Sequence, residues 1–267
     1  MNLPGDFHVH KCMRPVYDGA EEMTPAAVAA AMRSRSFGAF GLSPHFHFDS
    51  DFGAVCAFLD AAREETRGIL PMFRGVETEC IDAVGSLPLS PERARRFDYV
   101  IAAPDHYNCT GAVRPPKDRR GCLLFHQKLL IALAENPLVD VISHPWAALI
   151  LLTCEGHLPG YDRIESLDAV PETWIAEFAA AARENRTAVE INGFFTGTYL
   201  RRRGETGRSY GEAYRNFYRI LAAAGVMLSP GSDAHRLADL AQIDDASGWL
   251  EALNLPEAQI WRPRKRA

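Results

Sequence analysis

The chain has 267 residues, 47% of them hydrophobic and 24% charged, and a formal net charge of -5. That length and composition suit a globular protein with a full core, and the acidic balance argues against a general nucleic-acid surface, leaving only a local basic patch at Arg201 to Arg203. The opening MNLPGDFHVH lacks a cationic start followed by an apolar stretch, and no later apolar run is long enough to span a bilayer, so a soluble, cytoplasmic protein without membrane contact is expected. Six scattered cysteines with no C-x-x-C pair read as buried thiols in a reducing compartment.

In chain order, short apolar runs rich in Val, Ile and Phe near 5–10, 37–44, 70–77, 98–103, 139–143, 187–191 and 226–229 predict strands. Helix-like stretches lie between them. TPAAVAAAMRSR (24–35) offers Thr24 as N-cap and Pro25 at the first helical position; 171–186 and 210–225 show helical apolar spacing, the latter closing on Gly225. WAALILL (146–152) reads either as a short buried helix or as the wall of a substrate pocket. About seven β-then-α units, with no repeat or low-complexity linker, predict one domain over 1–267 built on a mainly parallel sheet. A closed barrel is the natural arrangement and a doubly wound open sheet the rival; the absence of a glycine fingerprint after any strand weighs against a nucleotide-binding open sheet.

The histidines carry the functional signal. Six of nine fall at or just past the end of a predicted strand: His8, His10, His45, His106, His144 and His235. Glu77 and Asp233 join them at the same level. Asp233 and His235 stand two apart, so on an extended chain both leave in a common direction. In a barrel the C-terminal strand ends form one face, where residues distant in sequence converge. Mixed imidazole and carboxylate donors suit zinc, manganese or iron better than calcium or magnesium, and the set exceeds what one tetrahedral ion can use, which points to two or three divalent ions.

The ordered pieces DFHVH, GLSPH, GVE, APDH, ISHP and GSDAH resemble the polymerase and histidinol phosphatase (PHP) family of metal-dependent phosphoesterases, over residues 6 to 236. The resemblance implies an α/β fold, a distorted (β/α)7 TIM-like barrel, with a di- or trinuclear metal site at the C-terminal strand ends, most like the free-standing histidinol-phosphatase branch. Carried over motif by motif, His8 and His10 match the first HxH, His45 the second motif, Glu77 the bridging acid, His106 and His144 the next pair, and Asp233 with His235 the closing D-x-H. Asp18 fills the place of the acid that follows the HxH if the loop carries a short insertion, and the third metal depends on it. Asp105 is the runner-up to His106. Glu190 and Asn192 match the family's E-I-N segment, where they would orient ligands or close the barrel. Arg201 and Arg202 follow that segment, where related phosphatases carry a basic residue; a guanidinium fork suits a phosphate, and both rank above Arg14 and Arg236. His47 shares a direction with His45 and reads as a substrate or supporting group, or as pocket wall. His126 reads as packing or surface, and His157 as a loop residue.

Adjacent divalent ions roughly 4 Å apart can depress the pKa of a shared water from near 16 toward 7. The expected chemistry is therefore attack on phosphorus by a metal-bridging hydroxide, with arginines offsetting phosphoryl charge and Asp233 or a metal-bound water carrying the proton for the leaving alkoxide. No G-x-S-x-G is present, and Ser232 reads as shaping a strand end. The expected enzyme is a metal-dependent phosphoric ester hydrolase acting on a small phosphorylated metabolite, a histidinol-phosphate-like monoester. The alternatives are metal-dependent hydrolysis of another ester, an amide or a nucleic-acid end, and a degenerate metal-binding scaffold.

Overall fold

In the computed structural model, residues 3–11, 20–106 and 113–263 are described. Their strands are β1 (Phe40–Leu42), β2 (His45–Phe46), β3 (Met72–Glu79), β4 (Tyr99–Ala103), β5 (Val141–Ile142), β6 (Ala188–Asn192) and β7 (Leu228–Gly231). All pair in parallel, in the order β1-β3-β4-β5-β6-β7, with β2 also on β3. The segment predicted as a first strand over 5–10 forms no continuous ladder. It bridges Asp6 to Phe40 at its start and Val9 to Ala234 at its end. Gly41 N–H donates to Asp6 O at 2.8 Å and Asp233 N–H to His8 O at 2.8 Å. Because this segment joins the sheet's two edges, the sheet closes into a barrel, and the open-sheet alternative is set aside. The predicted run 37–44 divides into β1 and β2 around Ser43 and Pro44, both of which pair with β3.

Strand alternation separates two surfaces. Val76, Val100, Ala102, Ile142, Val189 and Ile191 belong to the large core shared with the helices. Their neighbours Tyr99, Ile101, Val141 and Ala188 form a separate cluster with Phe7 and Trp261. Tyr99 occupies so much of that space that a Cβ on Gly75 would lie 2.1 Å from its ring. The same alternation puts Glu77 in register with Ile101, and Glu190 two residues beyond Ala188. Polar side chains thus succeed apolar ones on the same surface toward the strands' C-terminal ends.

The helices follow their sequence signals. Thr24 caps helix Pro25–Ser34, its side chain accepting from Ala27 N, and Asp118 caps Arg119–Glu135 by accepting from Gly121 N. Glu172–Asn185 matches its predicted span, and WAALILL resolves into the buried helix Ala147–Cys154. The predicted helix 210–225 begins earlier, as Gly204–Ala223. It continues a helical run through a π-helix at Phe194–Tyr199 and a short turn at Leu200–Arg202. Gly204, at φ +56°, supplies the break that polar spacing alone did not reveal. Among the described residues no helix is long and apolar enough to cross a membrane.

Candidate metal centre

Glu77 stands at the middle of the cluster. Its Oε1 lies 3.3 Å from both His8 Nε2 and His144 Nε2, and its Oε2 lies 2.9 Å from His45 Nε2 and 3.5 Å from His10 Nε2. Asp233 Oδ1 is 3.1 Å from His10 Nε2 and 3.5 Å from His8 Nε2. His235 stacks on His10 with ring centroids 4.1 Å apart, and His10 on His45 at 4.3 Å. His106 lies between His45 and His144, at 5.2 and 5.5 Å. Four overlapping triads each bring one ligand atom per residue within 4.8 Å of the others: His10, His45, His235; His8, His10, Asp233; His45, Glu77, His106; and Asp105, His106, His144. The eight strand-end residues read from the sequence therefore converge, and Asp105, the runner-up, stands beside His106 rather than replacing it. Asp18 lies outside the described residues, as does Arg14.

A second layer fixes the first. Glu190, 1% exposed, accepts from His8 Nδ1 at 2.6 Å through Oε1, and through Oε2 from His144 N–H at 2.9 Å and Asn192 Nδ2 at 3.1 Å. Asn192 also donates to Asp233 Oδ2 at 3.2 Å. The roles implied for Glu190 and Asn192 thus have direct contacts behind them. Engaging His8 through Nδ1 leaves Nε2 directed at the cluster, as ligation requires. Gly231 permits the approach: a Cβ there would lie 2.2 Å from Glu190 Oε1 and 2.8 Å from His8 Cβ. Ser143 Oγ donates to Glu77 Oε1 at 2.8 Å, a contact with no sequence signal of its own. Three non-glycine residues at the site have positive φ, His144 (27°), Trp146 (68°) and Asp233 (57°), conformations that cost about 1–3 kcal/mol each and persist only where surroundings enforce them.

The imidazoles and carboxylates of the cluster set one another's charge. Burial would raise the Glu77 carboxyl, but His8 and His106 beside it hold it well below its usual range. Burial likewise opposes charge on His8, yet Glu190, Glu77 and Asp233 raise it well above its ordinary value; Asp105 and Glu77 do the same for His144. Desolvation pushes His106 down to about 3, and desolvation with the neighbouring His10 pushes His235 down to about 4. Asp233 is lowered against its burial by His8 and His10, whereas burial raises Asp105. Among the described residues, Asp105 Oδ2 and His106 Nδ1 are buried with no hydrogen-bond partner, while Glu77 Oε2 and Asp105 Oδ1 face imidazole nitrogens, His45 Nε2 at 2.9 Å and His144 Nδ1 at 3.1 Å. Buried carboxylate oxygens in that condition are costly unless a cation satisfies them. The residues fit divalent metals, and the mixture of nitrogen and oxygen donors fits the transition series.

The remaining candidates lie outside the cluster's hydrogen bonds. His47, 5.7 Å from the His45 ring, places Nδ1 3.4 Å from Oε2 of the buried Glu79, a carboxylate the sequence reading did not single out. Arg201 grips Asp245 through two bonds of 2.8 and 3.1 Å, and Arg202 lies 5.8 Å from the Phe194 ring centre. His126 is fully buried and His157 is exposed.

The closed parallel ring, with the imidazole–carboxylate cluster at its mouth, is a TIM-like barrel, the architecture that the resemblance to the PHP family implied. Known proteins agree. The chain shares its fold with the histidinol phosphate phosphatase of Lactococcus lactis, solved with zinc, L-histidinol and phosphate: TM-score 0.65 at 14% identity, over 95% of this chain and 94% of that one. It is 29% identical over 189 residues to a probable phosphatase of Caldicellulosiruptor saccharolyticus, covering 71% of this chain and 63% of that protein. It is 27% identical over 185 residues to a probable phosphatase of Acetivibrio thermocellus, covering 69% and 61%. The chain thus spans less than two thirds of the length of these two relatives. No protein-family profile matches it.

Proposed function

We propose that the chain is a metal-dependent phosphatase that hydrolyses a small phosphomonoester, histidinol-phosphate-like in kind, at the cluster around Glu77. The observation that carries this reading is the set of four overlapping ligand triads, in which Asp105 Oδ2 and His106 Nδ1 are buried without a hydrogen-bond partner. Phosphatase names among the relatives, and zinc, histidinol and phosphate in the structural neighbour, support the substrate class.

His8, His10, His45, Glu77, His106, His144, Asp233 and His235 would hold two or three divalent ions, zinc, manganese or iron, with Asp18 as the further ligand assigned from the motif. Bound there, such ions supply Lewis-acid charge and lower the pKa of water to near 7. Glu190 and Asn192 orient the ligands, and Asp233 or a metal-bound water would pass the proton released by the attacking water to the leaving oxygen as the phosphorus–oxygen ester bond breaks. Arg201 and Arg202 follow β6 on the helical run after Asn192, and in this reading they, with His47, meet the substrate.

The test is an assay of purified protein with manganese or zinc against phosphomonoesters, phosphodiesters and amides, with His8→Ala as control. Monoester hydrolysis that disappears in His8→Ala is expected. Activity on amides alone, or activity surviving His8→Ala, would overturn the proposal.

A further inference from the structure

His144 reaches the cluster from an unusual turn, and that turn is held from outside the site. Residues 143–146 link β5 to helix Ala147–Cys154, with φ positive at both His144 and Trp146. The helix starts without a side-chain cap, because its N-cap is Trp146. Three buried groups from three different elements tie the turn's backbone. Glu190 on β6 accepts the His144 N–H at 2.9 Å. Tyr214, in helix Gly204–Ala223, donates its hydroxyl to Pro145 O at 3.0 Å. His126, in helix Arg119–Glu135, accepts the Trp146 N–H on Nε2 at 3.3 Å, with its ring 4.7 Å from the indole.

His126 is 0% exposed on a mostly apolar side of its helix, beside Cys122, Leu123, Leu129, Leu130 and Leu133 and with Gln127 as the other buried polar residue, and there a polar ring is unfavourable unless it is bonded. To accept at Nε2 the imidazole must carry its proton on Nδ1, so it serves here as a neutral acceptor. A leucine would fill the same space and leave the Trp146 amide, at a buried helix start, without that acceptor.

We infer that His126 and Tyr214 are positioning residues for the centre: together they hold the 143–146 turn so that His144 faces Glu77 and Asp105. The inference rests on the proposed role of His144 as a metal ligand. His126 reaches the turn at the Trp146 amide, two residues from His144, so its effect is on metal binding rather than on substrate. Outer groups that orient ligands commonly change metal affinity 10- to 100-fold.

The experiment titrates metal-stripped protein with Co2+, following the visible bands and the number of ions bound, in wild type, His126→Leu, His126→Gln, Tyr214→Phe and His144→Ala. Thermal unfolding of each metal-free variant is recorded beside it. His126→Leu is expected to bind about 10- to 100-fold more weakly with altered bands, and His126→Gln, which restores an acceptor at similar reach, to recover to within about threefold. Tyr214→Phe should weaken binding up to about tenfold, and it decides the matter if His126→Leu does not fold. Wild-type affinity in both His126→Leu and Tyr214→Phe, or equal losses in His126→Leu and His126→Gln, would overturn the inference. His144→Ala keeps the two questions apart. If it binds Co2+ like wild type, the ligand assignment itself has failed; if it loses an ion while His126→Leu and Tyr214→Phe do not, only the positioning role has.

Discussion

Glu190→Gln perturbs the second layer without changing its shape. The carboxylate serves three donors at once, His8 Nδ1–H at 2.6 Å on one oxygen and, on the other, His144 N–H at 2.9 Å and Asn192 Nδ2 at 3.1 Å. An amide has one oxygen to offer. If that oxygen faces His8, the amide NH2 confronts the His144 N–H, and a buried donor loses its acceptor. If it faces His144, the NH2 turns to His8, whose ring must then accept at Nδ1 and carry its proton on Nε2, the atom needed for a metal. Replacing a charge-assisted bond by a neutral one forfeits about 1 kcal/mol, and stranding a buried N–H costs about 1–3 kcal/mol, so the metal-free protein should lose about 2–4 kcal/mol. Metal affinity should fall about 10- to 100-fold, as for outer ligand-orienting groups generally. Denaturant unfolding of metal-stripped protein and calorimetric titration with Mn2+ measure the two effects separately. A Glu190→Gln protein that unfolds at the wild-type midpoint and binds Mn2+ with wild-type affinity would refute the reasoning.

Other expectations are narrower. Gly231→Ala drives a methyl to within 2.2 Å of Glu190 Oε1, so the two must separate; a loss of stability of about 1–3 kcal/mol with weaker metal binding is expected, and a wild-type melting curve would contradict it. Burial pushes His126 from its ordinary 6.5 down to about 3, so the unfolded chain takes up this proton first; the stability it protects is complete above pH 6.5 and declines by about 1.4 kcal/mol per unit as pH falls from there toward 3. His126→Gln should flatten that part of the acid unfolding profile, and an unchanged slope counts against a buried neutral imidazole. Arg201→Ala removes an exposed pair with Asp245, so stability should move by less than about 1 kcal/mol, while KM for a phosphomonoester rises at unchanged metal content. An unchanged KM removes Arg201 from the substrate site.

The sequence shows the candidate ligands better than it shows their support. His8, His10, His45, Glu77, His106, His144, Asp233 and His235 are legible because each falls at or near the end of a predicted strand, and parallel closure brings such ends together whatever their separation along the chain. Glu190 and Asn192 were visible as a motif, but their partners were not: that one carboxylate serves both His8 and the His144 amide depends on β5, β6 and the 6–10 segment meeting at one place. Ser143, Glu79, His126 and Tyr214 had no pattern to mark them. Their roles arise from tertiary contact with a turn whose positive φ angles lie at His144 and Trp146, positions where no glycine announces them. The first strand was expected as a ladder and is instead two bridges, because one short segment serves both edges of the ring. The early start of helix Gly204–Ala223 is hidden by LRRRGETGR, whose arginines read as groups for a phosphate, while Gly204 turns one helical segment into the next.

Counting metal ions on the purified protein tests the central claim most directly. After equilibration with Zn2+ or Mn2+ and removal of free ion, elemental analysis should find two or three divalent ions per wild-type chain and fewer in Glu77→Gln. A wild-type chain that retains none, or a Glu77→Gln chain that retains the full number, would contradict a metal centre built around Glu77.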